Sequence, residues 1–506
     1  MNIISRLALF VTLAVTFSLP AQTTPAQSAP AQPTPAQPAQ STTGPWSKIP
    51  IPPLHAFKPE MPKRVVLDNG IVLLLEEDHE LPLIDGFIRI RGGSRDVPAA
   101  KTGLVSLYGS TWRTSGTATH SGDQMDDILE AKAAKVETSG GLDSTSVHWS
   151  CLAPDFDQVF ALTADLLLHP VFNQDKLTLA KRRAEAGIAR RNDDPGEIAS
   201  REAYRLIYGA TSPYGREPEF ATVEAVTLTD LSQFHDSTLS GSNMIIGVVG
   251  DFNSADMERK LRAAFSSIPR GKVFVTAEQT FSGPTPGVYL VEKHDINQSN
   301  AMLVGLGTER NNPDYYALSV MNEMFSGGFG SRLFQDVRTK QGLAYSVGGQ
   351  YGAAFDYPGP FIVEAATKSE TTVAALQAMQ HQIELLKTQP PSDTELRNAK
   401  DQLLNSFIFN YDSKDKILSE IAALEFHNYP LDYLEQYRVG VEKVTAADVS
   451  RVANKYIDLS KLAVLVVGND TEFGKPLSTL GKVTTLDITI PMPTAAAPAG
   501  QQQAPD

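Results

Sequence analysis

Cysteine is nearly absent from this sequence. The 506 residues include one cysteine, Cys151, so no disulfide can form within the chain and the disulfide-stapled class of secreted domains is excluded. Cys151 alternates with Val147 and Trp149 in the segment SVHWSCL, and this period of two predicts one face of a strand. We therefore expect a buried, unreactive thiol and not a nucleophile.

Paired metal ligands are also missing. No two of the nine histidines lie within twenty residues of each other, and H-x-x-x-H, H-E-x-x-H and H-x-x-E-H do not occur. The sequence lacks a G-x-S-x-G nucleophile elbow, and the glycine-rich segment 327–331 is not followed by the G-K-[ST] of a phosphate loop. On residue chemistry alone, no local catalytic centre and no metal site are indicated.

Long basic runs do not occur, and the apolar runs are short. The formal net charge is −14 and the longest basic run spans only 181–183, which excludes a nucleic-acid partner. The apolar run Leu7–Leu19 follows a single positive charge and is shorter than an ordinary membrane-spanning helix. This pattern is typical of a secretory signal, with an uncleaved anchor as the alternative.

The two ends of the chain have a composition that cannot build a core. We predict a signal peptide over 1–21, a disordered tether rich in Pro, Ala and Gln over 22–56, and a disordered tail over 491–506. We therefore expect a secreted, periplasmic protein. It would associate with a membrane only if the N-terminal segment remains uncleaved.

Three sequence blocks recur in the same order about 218 residues apart. The matched pairs are 226–231 with 444–449, 245–251 with 462–469, and 176–188 with 395–407. Such an internal repeat indicates a duplicated domain. We predict an N-terminal domain over 57–272, a linker over 273–283 and a C-terminal domain over 284–490.

Hairpin signals precede runs of helical periodicity in each half. Asp-Asn-Gly at 68–70 and Gly-Gly at 140–141 separate strand-like segments, and 244–251 is apolar throughout, as in a central strand. Strands followed by runs of helices predict an α+β fold. We expect two homologous domains, each a mostly antiparallel β-sheet with helices packed on one face.

A predicted helix in KTGLVSLYGSTWRTSGT (101–117) carries a spacing typical of a catalytic site without catalytic residues. Its apolar residues recur at helical spacing, while Ser106, Gly109 and Ser110 lie at i, i+3 and i+4 on the other face. A helix can hold two metal ligands and a carboxylate together at that spacing. Two serine hydroxyls and a glycine supply neither good metal ligands nor a catalytic carboxylate. Small residues at these positions also suit close helix packing.

Several motifs together resemble the pitrilysin/insulinase family of zinc metallopeptidases, in its processing-peptidase-like branch. They are LDNGIVLLLEEDHELP, GGSRDVPAAKTGL, ARRNDDP, SPYGR, LVVGN and, most specifically, GGFGSRLFQDVRTKQGLAYSV at 327–347. The resemblance covers most of 57–490. It implies two homologous α+β domains in each chain, with two such chains forming a clamshell around a polar chamber, of which this chain would be one half.

The resemblance also implies that the zinc site is degenerate. Family catalysts carry H-x-x-E-H on the helix after the G-G-S-R-D strand, and these positions are Ser106, Gly109 and Ser110 in this sequence. The third ligand, a glutamate eight residues before the proline of D-D-P, corresponds to Gly187. We therefore expect no metal and no catalytic residue on this chain, with zinc held by a paralogous partner chain.

The C-terminal half keeps family residues that contact substrate. The family's arginine and the tyrosine seven residues later correspond to Arg338 and Tyr345. A guanidinium can grip a carbonyl oxygen, and a phenol can donate to a developing oxyanion. From the residues alone, a helix-capping arginine and a tyrosine packed on a strand are the alternative. The loop with Gly327, Gly328 and Gly330 resembles a substrate-contacting loop of non-catalytic subunits.

These expectations lead to two hypotheses about function. The leading one is a non-catalytic, substrate-binding subunit of a heterodimeric zinc metallopeptidase, acting on peptides or small proteins in the cell envelope. The alternative is a catalytically dead peptide-binding or scaffold protein of an envelope complex. An active peptidase with an unrecognised site is a third, poorer option.

Overall fold

A computed structural model describes residues 59–492 of the chain. The predicted signal peptide (1–21) and the whole predicted tether (22–56) lie outside the described residues, as does the predicted tail beyond residue 492. Between 59 and 492, no helix is both long enough and apolar enough to cross a bilayer.

Six strands from the first half of the chain form one sheet, in the order β1-β2-β6-β3-β5-β4. The two predicted hairpins are confirmed, because β1 pairs with β2 around Asp-Asn-Gly and β4 pairs with β5 around Gly-Gly, both antiparallel. Every residue of β6 is buried, as its continuous apolar sequence predicts for a central strand. The strands are β1 (Lys63–Val66), β2 (Val72–Glu77), β3 (Leu83–Arg91), β4 (Lys135–Gly140), β5 (Ser144–Leu152) and β6 (Met244–Gly250).

A second six-stranded sheet comes from the second half, in the order β10-β12-β8-β13-β7-β14. Two further residue pairs, β9 and β11, form a small parallel sheet of their own. The strands are β7 (Gly287–Glu292), β8 (Gln298–Leu306), β9 (Thr308–Glu309), β10 (Ser346–Tyr351), β11 (Ala353–Ala354), β12 (Pro360–Lys368), β13 (Ala463–Gly468) and β14 (Val483–Thr485).

The two sheets share one topology over five strands. In each, a parallel pair (β2 with β6, β7 with β13) is followed by three antiparallel neighbours in the same order. Gly250 and Gly468 both end the central strand, as the 218-residue offset predicts. The sixth strand differs, because β1 precedes β2 in the chain whereas β14 comes from the C-terminal end and pairs parallel to β7.

Fourteen α-helices accompany the sheets within 59–492. Those of the first half are α1 (Leu104–Ser115), α2 (Gly122–Glu130), α3 (Phe156–Leu168), α4 (Gln174–Arg190), α5 (Pro195–Tyr208), α6 (Phe220–Glu224), α7 (Leu228–Thr238) and α8 (Ser254–Phe265). Those of the second half are α9 (Tyr315–Ser326), α10 (Thr372–Thr388), α11 (Asp393–Phe407), α12 (Lys414–Phe426), α13 (Tyr433–Lys443) and α14 (Ala446–Tyr456). The repeat is visible in the caps, since Thr227 and Thr445 open α7 and α14 with the same Thr-x-x-Asp capping box.

Each sheet buries one face under helices of its own half. Ile88 and Trp149 of the first sheet pack with Leu107 and Trp112 of α1 in one apolar cluster, and the second sheet builds an equivalent cluster with α9 and α10. Cys151 lies in the first cluster, where burial raises the pKa of its thiol to about 11. The prediction of a buried cysteine is confirmed, and the raised pKa disfavours the reactive thiolate form.

The other face of each sheet is covered by a helix from the opposite half. Leu418 and Ile421 of α12 pack on Leu74 of the first sheet, while Ile198 and Ala203 of α5 pack on the second sheet. The two helices are equivalent in the repeat, since 195–208 and 414–427 are 219 residues apart. The two halves therefore exchange one helix each. The sequence predicted helices on one face only and did not reveal this exchange.

The loop 355–358 ties the two halves together around the exchanged helices. Asp356 accepts two hydrogen bonds from Arg95, at 3.1 and 2.7 Å, and Pro358 accepts one from Tyr208 Oη at 2.9 Å. The ring of Phe355 stacks on His427 with a centroid distance of 4.2 Å. These contacts fix the loop between residues that are far apart in the sequence.

Candidate functional site

The exposed face of α1 carries hydroxyls that are bonded to their own helix. Ser106 and Ser110 are exposed, and Ser110 Oγ donates to the carbonyl of Ser106 at 2.8 Å. Thr114 continues the stripe and donates to the carbonyl of Ser110 at 2.9 Å. These are the back-bonds that serines and threonines make when no other partner is offered.

Gly109 lies between the two serines but faces inward, against the edge strand β4. A Cβ on Gly109 would lie 2.5 Å from the backbone nitrogen of Gly140, and a Cβ on Gly140 would lie 2.2 Å from the carbonyl oxygen of Val105. Thr138 Oγ1 donates to the carbonyl of Gly109 at 2.6 Å, and Arg113 Nε donates to that of Val136 at 2.9 Å. The helix is therefore seated on the strand with no space for a longer side chain at this position.

Gly187 occupies an open position on α4, the helix that packs beside α1. It is exposed, and a Cβ there would meet nothing within 4 Å. Glycine has no side-chain donor, and the aliphatic hydroxyls of Ser106 and Ser110 are poor ligands beside the nitrogen and carboxylate donors that zinc prefers. Residues 59–492 contain no cluster of three His, Cys, Asp or Glu side chains able to hold a metal ion. The residues at these positions do not fit a zinc ion.

Arg338 lies in a π-helical turn, Phe334–Lys340, which follows the glycine-rich loop. Its guanidinium carbon is 4.7 Å from the centre of the Phe334 ring, and within 59–492 the guanidinium makes no hydrogen bond or ion pair. The nearby carboxylate of Asp336 is engaged elsewhere, because it accepts from Gln341 Nε2 at 2.7 Å. The side chain of Arg338 does not cap a helix, and its donors are free.

Tyr345 stands just before β10, the edge strand of the second sheet. Its backbone nitrogen donates to Ala366 at 2.8 Å, which fixes the main chain, while its side chain is 81% exposed. A tyrosine packed on a strand would have its ring covered, so this alternative does not describe Tyr345. The phenol is free to donate to a molecule outside this chain.

The glycine-rich loop links α9 to the π-helical turn. Gly327 fits closely over Glu323, Gly328 takes a φ of +73°, which favours glycine, and Gly330 has open space around it. Phe329, between them, is 75% exposed. Its ring meets that of Phe334 edge to face, with centroids 4.9 Å apart.

The structure thus joins the loop, Phe334 and Arg338 by direct contacts. Sequence reasoning singled out the glycines and Arg338 but missed Phe329 and Phe334, although both stand inside the motif 327–347. The sequence did contain a signal for the contact between Phe334 and Arg338. Phe334 stands four positions before Arg338, and this spacing brings two side chains together on a helical backbone. No hydrogen bond or ring contact between described residues connects this group to the positions on α1.

Three adjoining cavities follow the second sheet away from Tyr345. The first, of about 240 Å³, begins at Ser346, and the next two, of about 400 and 710 Å³, share Asn300 with it. The last one is reached between the start of α5 and the turn that joins β7 to β8. Their lining contains the carboxylates of Asp194, Asp295, Glu364 and Glu472 and no lysine or arginine. The groove is therefore polar and acidic.

Comparison with known proteins shows what this chain is similar to. Residues 225–403 match the family model described as the peptidase M16 inactive domain. A crystal structure of a peptidase M16 inactive domain from Pseudomonas fluorescens is 27% identical, covers 82% of this chain and 99% of its own, and superposes with a TM-score of 0.73. The chain is therefore similar to M16 peptidases in sequence and in fold. The resemblance to pitrilysin/insulinase peptidases, as a member without H-x-x-E-H, is confirmed.

Several curated proteins similar to this chain are named as zinc proteases. An uncharacterized zinc protease of Mycobacterium leprae is 25% identical over 402 residues, which is 78% of this chain and 89% of the relative. One from Bacillus subtilis is 23% identical over 363 residues, 71% and 87% of the two chains. A periplasmic protease of Escherichia coli shares the fold alone, at 15% identity and a TM-score of 0.67 over 81% of this chain and 46% of its own.

Proposed function

We propose that this M16 chain is the non-catalytic, substrate-binding subunit of a heterodimeric zinc metallopeptidase that acts on peptides or small proteins in the cell envelope. A paralogous partner would supply the zinc ion and the catalytic glutamate. This chain would supply Arg338 and Tyr345 to the shared chamber. The proposal makes it a pseudoenzyme when alone and a part of the peptidase when paired.

The observation that carries the proposal is the contrast between the two candidate sites. At Gly109 the position of the family's base is filled by the backbone of β4, and Gly187 and the serines offer no zinc-binding donor. The half-buried Arg338 and the exposed Tyr345, in contrast, have side-chain donors that make no hydrogen bond within residues 59–492. Loss of one site with retention of the other is what a division of labour between two chains predicts.

The chemistry assigned to Arg338 and Tyr345 follows from their donors. A guanidinium offers two parallel N–H groups to a peptide carbonyl, so it would bind substrate before and during the reaction. The phenol of Tyr345 offers one O–H where negative charge develops on the attacked carbonyl, so it would act mainly in the transition state. Both roles require the partner's zinc centre to lie within reach across the interface.

A periplasmic location belongs to the same proposal. It rests on the N-terminal sequence, with its short apolar run and Pro/Ala/Gln-rich continuation. The Escherichia coli protease that shares the fold is described as periplasmic, which is compatible with this location. The second candidate function is a peptide-binding scaffold without proteolysis. The same unpaired donors of Arg338 and Tyr345 favour it, but it needs no catalytic partner.

The test begins with a search of the neighbouring reading frames for a paralogue that carries H-x-x-E-H, followed by co-expression of the two chains. The two proteins should co-purify, and the pair should cleave peptides while neither chain does so alone. Tyr345→Phe should lower kcat about a hundredfold, because one oxyanion donor is lost. Arg338→Ala should raise KM as well as lower kcat.

Arg259→Ala is the matched control. Arg259 is exposed on α8 and pairs only with the surface carboxylate of Asp256, one turn away. Its removal should leave cleavage by the pair unchanged. If Arg338→Ala and Tyr345→Phe also cleave like the wild type, the subunit role is wrong and the scaffold function takes its place.

A further inference from the structure

Phe329 is an apolar side chain that the fold holds in an exposed position. Gln335 Nε2 donates to its carbonyl at 2.6 Å, and its ring is fixed edge to face on Phe334 at an interplanar angle of 75°. A single exposed apolar residue is ordinary on a protein surface, but one whose backbone and ring are both fixed has already lost its conformational freedom. Such a ring can contact a ligand at low entropic cost.

Phe334 connects this ring to Arg338. The Phe329 ring stands edge to face against the Phe334 ring, with centroids 4.9 Å apart. The guanidinium carbon of Arg338 lies 4.7 Å from the centre of the same Phe334 ring. A guanidinium held over an aromatic ring by a cation–π contact keeps its N–H donors at the rim of its plane, where they can reach a carbonyl. Phe334 therefore fixes the orientation of Arg338 without using any of its donors.

We propose that Phe329, Phe334 and Arg338 form one recognition element for peptides with a large apolar side chain. In this element Phe334 is a positioning residue for Arg338, and Phe329 contacts the apolar side chain of the bound peptide. The inference rests on the proposed function, because it takes Arg338 as the group that grips the peptide carbonyl. It adds the substrate class and two residues to that site.

The distances support this arrangement. The two contacts through Phe334 place the Phe329 ring within about 10 Å of the Arg338 guanidinium carbon, which an extended peptide spans in about three residues. A peptide whose carbonyl is bound by Arg338 therefore has a side chain within reach of Phe329. An apolar side chain gains from leaving water at that ring, whereas a small or polar one does not.

The test uses the full chain alone and two fluorescein-labelled peptides, GSGFGSGS and GSGAGSGS, in anisotropy titrations. The wild type should bind the phenylalanine peptide about fivefold more tightly than the alanine peptide, a typical effect of one partly buried aromatic contact. Phe329→Ala should abolish this difference and leave the affinity for the alanine peptide within about twofold of the wild-type value. Phe409→Ala is the matched control, since Phe409 is also exposed, at 67%, and makes no ring contact with the three residues.

Phe334 has a separate set of variants. Phe334→Leu should weaken binding of both peptides about threefold through the lost cation–π contact, and Phe334→Trp should restore it. In a chain that already carries Arg338→Ala, Phe334→Leu should have no further effect on binding of the alanine peptide, which makes no contact with the Phe329 ring. Thermal midpoints should stay close to that of the wild type, which separates positioning from loss of folding.

Three results would overturn the inference: no difference between the peptides in the wild type, a difference that survives Phe329→Ala, or an effect of Phe334→Leu on the alanine peptide that adds to that of Arg338→Ala. The cleavage assay of the co-expressed pair separates this failure from failure of the proposed function. If Arg338→Ala impairs cleavage while Phe329→Ala changes nothing, the subunit role stands and only the recognition element is wrong. If Arg338→Ala changes neither binding nor cleavage, both proposals are wrong.

Discussion

Gly109 and Gly187, which the family resemblance matches to catalytic positions, should respond to alanine in opposite ways. At Gly109 a Cβ would lie 2.5 Å from the nitrogen of Gly140 and 2.7 Å from the carbonyl carbon of Ser139, well inside normal contact. The helix would have to move away from β4, which strains the bonds from Thr138 and Arg113. At Gly187 nothing lies within 4 Å, so the same change meets no obstacle.

The magnitudes follow from these surroundings. Overpacking costs about 1–3 kcal/mol, and weakening of the two hydrogen bonds adds about 1 kcal/mol, against about 1 kcal/mol gained from the better helix propensity of alanine. Gly109→Ala should therefore lower the free energy of unfolding by about 2 kcal/mol. Gly187→Ala, in an exposed helical position, should raise it by about 0.5–1 kcal/mol.

Urea denaturation followed by tryptophan fluorescence is a suitable assay, because Trp112 and Trp149 are both buried in the half that contains these glycines. Gly140→Ala should destabilise as Gly109→Ala does, and the double variant should lose less than the sum, since a helix already displaced accommodates the second methyl group. If Gly109→Ala stabilises the protein as Gly187→Ala does, the close approach of α1 to β4 is wrong. The argument against a catalytic glutamate at this position would then fail as well.

Three further predictions concern pH, the contact between the halves, and metal. Burial lowers the pKa of His427 to about 4, so the folded protein keeps this imidazole neutral, whereas the unfolded chain protonates it near pH 6.5. The free energy of unfolding should therefore fall by about 2–3 kcal/mol as the pH drops from about 6.5 to about 4. Urea titrations should show that His427→Leu removes this part of the decline. Arg95 and Asp356 are joined by two hydrogen bonds, and the Arg95 side chain is buried. A double-mutant cycle on this pair should give a coupling free energy of about 1–3 kcal/mol. If the effects of the two single variants simply add, the contact does not tie the two halves together. Elemental analysis of the dialysed chain should find well under one equivalent of zinc, and a stoichiometric, chelator-resistant zinc ion would contradict the degenerate site.

The sequence determined the features that depend on local pattern. The apolar run at 244–250 and its repeat at 463–468 specify central strands, because a strand buried on both faces needs apolar residues at every position. The turn at 68–70 fixes a hairpin, and the alternation around Cys151 fixes which side of its strand is buried. The duplication and the absence of an H-x-x-E-H motif were also visible, since both are properties of residue identity and spacing.

Only the tertiary structure decided how these segments meet. Helical spacing indicated that small residues line one face of α1, but not that Gly109 lies on Gly140, because close packing joins residues that local periodicity does not relate. Periodicity likewise predicts which face of α5 and of α12 is apolar, but it does not indicate which sheet that face packs on. In the structure, each of these helices packs on the sheet of the other half. The contact of Arg338 with Phe334, and the freedom of Tyr345, depend on which side chains the fold leaves uncovered. That is a property of the assembled surface, and no single segment of the sequence contains it.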